Sequence, residues 1–318
     1  MALPITILMF VLIFLLLYGA NMVVAGLRSL SRSTKTGVFA LSAILLATAT
    51  SLPELSVAIT SGLSDNSALS LGNVLGANIT NLTLVTGAAA LLAGRVSVHG
   101  SLLRQEILLA GIAGVVPIIF AIDKEISRVD GLILILLWCA YVIHFFKVRF
   151  TQIAESFAKE GLWQRFLHKV QASEKSGVKL LLGVILLLVS SNFIVELSTV
   201  LARDAGVSLF IIGALVLAVG TTLPELAFSY KSLKDKEPTM FLGNILGSII
   251  TNSTLVVGVA SLLSPISVNL SALGLVGMFV VIYIVFWFFV GREQHIGRRE
   301  ALTLLVIYML FVFIVGRQ

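Results

Sequence analysis

Long runs of apolar residues alternate with short polar breaks along almost the whole chain. A helix that crosses the hydrocarbon core of a bilayer needs about 20 mostly apolar residues, and we identify ten runs of that length. They cover residues 4–26, 37–61, 69–94, 104–122, 128–146, 176–201, 206–230, 239–263, 269–290 and 300–316. One long polar stretch separates the first five runs from the last five. The pattern predicts an all-α polytopic membrane protein of ten transmembrane helices, with five spans in 1–146, a linker at 147–175 and five spans in 176–318.

The composition of the chain agrees with a location in lipid. Hydrophobic residues make up 58% of the 318 positions and charged residues only 12%, with a mean hydropathy of +1.06. Soluble domains carry about 25% charged residues, so this chain has too little polar surface to cover a globule in water. A soluble enzyme, a disordered regulator and a secreted disulfide scaffold are therefore excluded. The single cysteine, Cys139, has no second cysteine in the chain to pair with.

The basic residues predict the orientation of the spans. If the linker is cytoplasmic and the ten spans alternate, all but four of the 22 Lys and Arg residues fall on the cytoplasmic side. The exceptions are Lys124, Arg128, Arg203 and Arg317. Because positive charge concentrates in cytoplasmic loops, we expect a multi-pass protein of the cell membrane with both termini outside. The basic and partly amphipathic linker is expected to contact the anionic inner leaflet.

Two stretches of the chain recur at a fixed offset of 171 residues. LATATSLPEL at 46–55 aligns without a gap on LAVGTTLPEL at 217–226, and LSLGNVLGANITNLTLVTGAAALL at 69–92 aligns on MFLGNILGSIITNSTLVVGVASLL at 240–263. Membrane composition alone produces matching Leu and Val, but not matching LPE, GN and TN at one offset. Five spans is an odd number, so the second copy must enter the membrane from the opposite side. We predict two inverted five-helix repeats, which are typical of alternating-access transporters with a midplane binding site.

Two acids occupy equivalent repeat positions deep inside predicted spans. Glu54 and Glu225 each follow a proline in the LPE motif. A carboxylate at the bilayer centre costs about 2.5–3.5 kcal/mol on insertion scales. No Lys or Arg lies at that depth, so the counter-charge must be a proton or a bound cation. A third acid, Glu196, has Ala25 at its equivalent position and is expected near the outer end of its span.

The neighbours of the two acids supply further oxygen atoms. Pro53 and Pro224 lack a backbone N–H and disturb the helical turn before them, which frees carbonyl groups for other partners. Further oxygens come from the carbonyls of Ala47 and Ala218, the hydroxyls of Thr50, Ser51, Thr221 and Thr222, and the amides of Asn81 and Asn252. This set, with no His or Cys nearby, favours a hard cation such as Ca²⁺ or Na⁺ over zinc or copper. Two carboxylates balance one Ca²⁺ or two Na⁺, and ions that share these oxygens compete.

These motifs resemble a known family. LATATSLPEL, AVGTTLPELAF, GNVLGANITN and GNILGSIITN are similar to the two alpha-repeats of the cation/Ca²⁺ exchanger superfamily, in particular the sodium/calcium exchanger membrane domain. The resemblance implies a secondary active antiporter that exchanges Ca²⁺ for Na⁺ by alternating access, with spans 1 and 6 moving across the other eight. It implies Ca²⁺ ligands at Glu54, Glu225, Thr50 and Thr221. It implies Na⁺ sites lined by Ala47, Ser51, Asn81, Ala218, Thr222, Ser248 and Asn252.

Three positions depart from the family pattern. Ala77 stands where many members have a serine, so one hydroxyl ligand is missing and the stoichiometry of three Na⁺ to one Ca²⁺ is not assured. Ile249 replaces a common asparagine in the second copy. Asn81 and Asn252 stand where some relatives have an aspartate associated with potassium co-transport, so the sequence argues against potassium dependence.

The residues alone leave alternatives open. A proton/Ca²⁺ antiporter would neutralise Glu54 and Glu225 with protons, and a passive cation channel would use the paired acids for selectivity. An intramembrane enzyme is disfavoured because no nucleophile–base pair or metal triad appears. We expect a transporter without covalent chemistry, cofactor or nucleic acid partner, which acts as a monomer on Ca²⁺ and Na⁺ in membrane lipid.

Overall fold

The structure, a computed structural model, describes residues 47–64, 67–94, 96–97, 101–157, 209–268, 270–293 and 295–317, and part of the positions within 8–26 and 177–197. The described residues are mostly helical, as the apolar pattern predicts. Within these described ranges, five helices are long and apolar enough to cross a membrane. Their spanning segments are Ser67–Ala93, Leu103–Asp123, Leu209–Lys234, Pro238–Leu263 and Ala272–Val290. Glu196 and most of the predicted linker lie outside the described residues.

From the helix that precedes each LPE motif onward, helices and two-residue strands follow one another in the same order in both halves. The first half contains α1 (Ala47–Thr50), α2 (Leu52–Leu63), α3 (Ser67–Ala93), β1 (Val96–Ser97), α4 (Ser101–Phe120), β2 (Glu125–Ile126) and α5 (Arg128–Phe157). The second contains α6 (Gly177–Leu186), α7 (209–221), α8 (Leu223–Lys234), α9 (Pro238–Leu263), β3 (Ile266–Ser267), α10 (Leu270–Glu293), β4 (His295–Ile296) and α11 (Arg298–Val315). Helix α5 continues past the predicted span end at 146, because no Pro or Gly interrupts the sequence before Gly161.

Two long helices form the centre of the molecule. In both α3 and α9, 83% of the spanning window is buried, against 28% in α10, whose Trp287 and Phe288 face outwards. The Ser67 hydroxyl at the start of α3 donates to the carbonyl of Pro265, just beyond the end of α9, at 3.0 Å. The two central helices therefore run antiparallel, and near their middles Asn78 of α3 contacts Asn252 and Ser253 of α9.

Three helices in the described part of the chain contain a π-helical segment, in which one extra residue widens the turn. The segments are Asn81–Val85 in α3, Asn252–Val256 in α9 and Ile212–Leu217 in α7. The first two begin at equivalent repeat positions. In α3, the Thr86 hydroxyl donates to the Asn81 carbonyl at 2.7 Å, so the side chain satisfies an acceptor at the widened turn. Such segments are frequent at functional sites, and the segments in α3 and α9 both begin at the asparagine of the repeated TN motif.

Glycines let α3 pack directly against the backbone of α7. A Cβ atom on Gly72 would lie 2.4 Å from the Phe210 carbonyl oxygen, and one on Gly76 would lie 2.1 Å from that of Ala214. Both distances are far below contact distance, so no larger residue fits without a backbone shift. The four-residue spacing of Gly72 and Gly76 is typical of helices in close contact.

The short strands connect the two halves at opposite ends of the bundle. Strand β1 pairs antiparallel with β4, and β2 pairs antiparallel with β3. Under the 171-residue offset, β1 corresponds to β3 and β2 corresponds to β4. Each two-stranded sheet thus combines one strand from each copy, and exchanging the copies converts one sheet into the other.

Candidate cation site

The two LPE motifs lie where a helix is interrupted. Helix α1 ends at Thr50 and α2 begins at Leu52, while α7 ends at Thr221 and α8 begins at Leu223. The prolines occupy the second position of the new helices, where the absent N–H costs no helical hydrogen bond. This local geometry puts Glu54 and Glu225 in the first turn of α2 and α8, and both carboxylates are fully buried. A negative side chain is favourable at a helix N-terminus.

The two carboxylates have different hydrogen-bond environments. Oε1 of Glu225 accepts a hydrogen bond from the Ser248 hydroxyl at 3.3 Å. Among the described residues, neither oxygen of Glu54 has a hydrogen-bond partner, and Oε2 of Glu225 has none. The repeat explains the difference, because the position equivalent to Ser248 in the first copy is Ala77. The two carboxylates are close enough for their charges to interact.

Each threonine next to a carboxylate contacts the other copy of the repeat. The Thr50 hydroxyl donates to Oδ1 of Asn244 at 3.2 Å and lies 3.4 Å from the Ser248 hydroxyl. The Thr221 hydroxyl donates to Oδ1 of Asn73 at 3.2 Å. Because a donating hydroxyl keeps its lone pairs, both threonine oxygens remain available as ligands. The two bonds are equivalent under the repeat, so the copies interlock through them.

A second polar cluster lies one turn further along the central helices. Asn252 donates through Nδ2 to Oδ1 of Asn78 at 3.3 Å, and Asn78 donates through Nδ2 to the Ser253 hydroxyl at 2.8 Å. Oδ1 of Asn252 has no partner among the described residues, and neither side-chain atom of Asn81 has one. All four side chains are at most 1% exposed.

The remaining predicted site residues lie beside the helix interruptions. Ser51 is buried, and its hydroxyl has no partner in the described part of the chain. Thr222 donates to the Ala218 carbonyl at 2.8 Å, and Ala218 is fully buried. Ala47 begins α1, but its side chain lies outside what is described. The structure thus brings Thr50, Glu54, Thr221, Glu225 and Ser248 together.

The charge balance of this region favours a cation. In the part of the chain that is described, no Lys or Arg is buried, while the two carboxylates are completely buried. A buried charge without a partner is strongly unfavourable. The surrounding atoms are carboxylate, hydroxyl and amide oxygens, and the described residues contain no group of three or more His, Cys, Asp or Glu suited to a metal. The arrangement suits a hard cation held with only two charged ligands.

Sequence reasoning missed one buried acid. Glu106 on α4 is 4% exposed, and its Oε2 accepts a hydrogen bond from the Tyr141 hydroxyl on α5 at 2.9 Å. The available signal was an acid just inside the apolar run 104–122, but Glu106 has no acidic counterpart in the second copy. It lies on different helices from the two LPE acids.

The chain is similar to known proteins along most of its length. The sequence model described as sodium/calcium exchanger protein matches residues 4–147 and 175–317. The chain is 31% identical to the inner membrane protein YrbG of Escherichia coli (strain K12), with 82% of this chain and 80% of that protein covered. It is 30% identical to the putative antiporter CaxA of Alkalimonas amylolytica, with 85% and 84% covered. It is 26% identical to the sodium/calcium exchanger MaX1 of Methanosarcina acetivorans, with 92% of each covered.

Solved structures of the sodium-calcium exchanger NCX_Mj have the same fold. The form soaked with 2.5 mM Na⁺ and 10 mM Sr²⁺ superimposes with a TM-score of 0.79 at 25% identity, covering 98% of this chain and 99% of that one. The form soaked with 2.5 mM Na⁺ and 0.1 mM Ca²⁺ gives a TM-score of 0.78 at 25% identity, with 98% of each chain covered. The chain belongs to the sodium/calcium exchanger protein family.

Proposed function

We propose that this protein is a secondary active antiporter that exchanges Ca²⁺ for Na⁺ by alternating access. Membership of the exchanger family supports cation/Ca²⁺ antiport, and the proposal adds Na⁺ as the coupling ion. The observation that carries it is the pair Glu54 and Glu225, fully buried beside neutral oxygen ligands and, among the described residues, away from any buried Lys or Arg. Such a site is completed by a cation. The two negative charges of the carboxylates balance either one Ca²⁺ or two Na⁺.

The proposed ligands divide into a shared centre and flanking positions. Ca²⁺ binds Glu54, Glu225, Thr50 and Thr221. Na⁺ binds at sites lined by Ala47, Ser51, Asn81, Ala218, Thr222, Ser248 and Asn252. Because both ions use the same two carboxylates, they cannot occupy the centre together. Exchange follows from this competition, since the site is emptied of one ion by binding the other.

The proposed architecture is ten transmembrane helices in two inverted repeats, 1–146 and 176–318, joined by a cytoplasmic linker at 147–175. The antiparallel arrangement of α3 and α9 and the exchange of strands between copies support the inversion. In the proposed topology both termini are outside, so the β1–β4 sheet faces the cytoplasm and the β2–β3 sheet faces the exterior. The ligands come from both halves of one chain, so a monomer suffices.

The first and sixth spans are the proposed moving elements. They contact each other closely, because a Cβ atom on Gly183 would lie 2.8 Å from the backbone nitrogen of Val23. A Cβ atom on Gly26 would lie 3.0 Å from that of Leu180. This packing favours movement of the two segments as one unit across α3, α9 and the helices around them. Such movement would expose the carboxylates alternately to the two sides.

Proton coupling is the second candidate. It is favoured by the carboxylate of Glu54, which has no hydrogen-bond partner among the described residues and could be neutralised by one proton. The two candidates differ in the gradient that drives Ca²⁺, not in the location of the site. A passive channel would carry Ca²⁺ without requiring either countergradient.

The deciding experiment is uptake of radioactive Ca²⁺ into proteoliposomes. Vesicles loaded with Na⁺ are diluted into Na⁺-free potassium buffer, and a parallel set receives a pH gradient instead. Na⁺/Ca²⁺ exchange predicts uptake that requires internal Na⁺. Uptake driven only by the pH gradient would overturn Na⁺ coupling and support the proton antiporter. Uptake with neither gradient would support a channel, and no uptake in any arm would mean that Ca²⁺ is not the substrate.

Glu54→Gln is the matched site variant for this assay. It preserves the size and hydrogen-bonding shape of the side chain but removes one of the two charges. We expect Na⁺-driven uptake to be abolished. Glu106→Gln, a buried acid outside the cation site, is the control and should retain uptake per folded molecule.

A further inference from the structure

Asn78 makes a chain of hydrogen bonds between the two central helices. Its Oδ1 accepts from Nδ2 of Asn252 at 3.3 Å, and its own Nδ2 donates to the Ser253 hydroxyl at 2.8 Å. Asn78 and Ser253 are each 1% exposed, and Asn252 is fully buried. This series of hydrogen bonds therefore has a direction, in which each amide nitrogen donates to the oxygen of the next side chain.

The oxygen of Asn252 is left free on the side of the cation site. Asn244, Ser248 and Asn252 are spaced four residues apart, so they share one face of α9. The first two contact Thr50, and Ser248 also contacts Glu225. Oδ1 of Asn252 has no partner among the described residues. Since the nitrogen of this amide is engaged by Asn78, the other end of the group, its oxygen, is the free one.

We propose that Asn78 is a positioning residue for the cation site. It orients the Asn252 amide so that Oδ1 is presented to a bound cation and Nδ2 is directed away. An amide can bind a cation only through its oxygen, because its N–H groups point positive charge outwards. Ser253 in turn holds Asn78 in the accepting orientation. The inference rests on the proposed function, in which Asn252 lines a Na⁺ site.

The first copy of the repeat has no equivalent device. The positions that correspond to Asn78 and Ser253 are Ile249 and Leu82, and both are fully buried apolar side chains. Neither atom of the Asn81 side chain has a partner among the described residues. Among the described residues, a neighbouring amide therefore orients Asn252 but not Asn81.

The test measures cation binding directly. Purified protein in detergent is titrated with NaCl against choline chloride, and separately with CaCl₂, and the ion concentration giving half of the thermal stabilisation is recorded. For Asn78→Leu we expect the Na⁺ value to rise about tenfold, since a net hydrogen bond contributes about 0.5–1.5 kcal/mol. The Ca²⁺ value should stay within about twofold. Ile249→Leu, at the position equivalent to Asn78 in the second copy, is the matched packing control and should change neither.

Two further variants separate orientation from packing. In Asn252→Asp both side-chain oxygens are acceptors, so the group needs no orienting partner. Adding Asn78→Leu to Asn252→Asp should therefore change the Na⁺ value by less than about threefold, which is a coupling of the two positions in a double-mutant cycle. Ser253→Ala leaves the contact between Asn78 and Asn252 and removes only its anchor. It should raise the Na⁺ value by about threefold, near the lower end of a hydrogen bond's contribution.

The outcomes distinguish this inference from the proposed function. Additive effects of Asn78→Leu and Asn252→Asp would overturn the positioning role, and so would equal shifts in the Na⁺ and Ca²⁺ values. If Asn78→Leu does not fold, an unchanged Na⁺ value in Ser253→Ala would overturn it instead. Wild-type protein that binds Na⁺ but shows no Na⁺-driven Ca²⁺ uptake would refute the proposed exchange while leaving the role of Asn78 open to the same titration.

Discussion

The two copies of the repeat differ at a pair of adjacent positions in the central helices. The first copy reads GANITN at 76–81 and the second reads GSIITN at 247–252. Ser248 is bonded to Glu225, whereas Ala77 leaves Glu54 without that donor. Asn78 reaches across to Asn252, whereas Ile249 provides no polar group.

Both differences therefore provide hydrogen-bond partners for residues of the second copy. Glu225 and Asn252 have hydrogen bonds from the protein, while Glu54 and Asn81 have none among the described residues. A buried polar group without a partner is costly, so in the proposed exchanger we expect the first-copy half of the site to depend more strongly on a bound ion. An approximate two-fold repeat can thus build one site from a half that the protein preorganises and a half that a bound cation completes.

The largest expected effect comes from neutralising either carboxylate. Glu54→Gln and Glu225→Gln should each reduce Na⁺-driven Ca²⁺ uptake by about 100-fold or more, because the bound cation loses one of its two charged ligands and breaking a buried pair of opposite charges costs about 3–5 kcal/mol. The two variants should also differ in the melting temperature that is measured without Na⁺ and Ca²⁺. Glu54→Gln should raise it by relieving an unpartnered buried charge, and Glu225→Gln should raise it less because the Ser248 bond is weakened. An equal rise in both variants would contradict the difference between the two halves.

The next largest effect is expected where the copies pack together. Gly76→Ala brings a Cβ atom to within 2.1 Å of the Ala214 carbonyl oxygen, which forces α3 away from α7. Overpacking of this kind costs about 1–3 kcal/mol, so the melting temperature in detergent should fall clearly. Gly274→Ala is the control, because a Cβ atom there has no neighbour within 4 Å. Equal melting temperatures of the two variants would show that the close contact between α3 and α7 does not determine the stability of the protein.

The threonines test how the copies interlock. Thr50→Val and Thr221→Val keep the side-chain shape and remove the donor to Asn244 or Asn73, together with one proposed Ca²⁺ ligand. Each should raise the Ca²⁺ concentration for half-maximal uptake by about threefold to tenfold, as expected for one hydrogen-bonding group. Thr50→Val should have the larger effect, because Thr50 also contacts Ser248. A larger effect of Thr221→Val would contradict this expected ranking of the two variants.

The smallest effects are expected when the serine and alanine at positions 248 and 77 are exchanged between the two copies. Ser248→Ala removes the donor to Glu225 and should raise the Na⁺ concentration for half-maximal stabilisation by about threefold. Ala77→Ser adds the equivalent donor near Glu54 and should lower it by about twofold. The double variant transfers the hydroxyl from one half to the other. If it matches wild type in ion-free stability, the two halves are energetically interchangeable at this position.

Much of the site follows from the sequence because the repeat aligns its parts. The equivalence of Glu54 and Glu225, and the interruption of each helix at the residues before the prolines, are both found in the structure. The partners of these residues could not be predicted in the same way. Thr50 bonds to Asn244 and Thr221 to Asn73 across a separation of more than 140 residues, and such pairings depend on how the helices pack.

Other features gave too weak a local signal. The two-residue strands are shorter than any alternation of apolar and polar positions, and a π-helical segment such as Asn81–Val85 retains an apolar pattern close to that of an α-helix. Glu106 lacks a copy in the second half, so the repeat that identified the other acids could not identify it. Predictions made from internal symmetry thus find what the copies share and miss what distinguishes them.

The exchanged strands also constrain how the molecule is made. Residues 96–97 pair with 295–296, so a segment from the first third of the chain must wait for one near its end. The nascent first half therefore leaves the ribosome with both of its strands, β1 and β2, unpaired, and the second half brings their partners β4 and β3. Contacts between such distant segments form late and slowly. Assembly of this protein is thus completed at its loops, after the helices that they connect are already in the membrane.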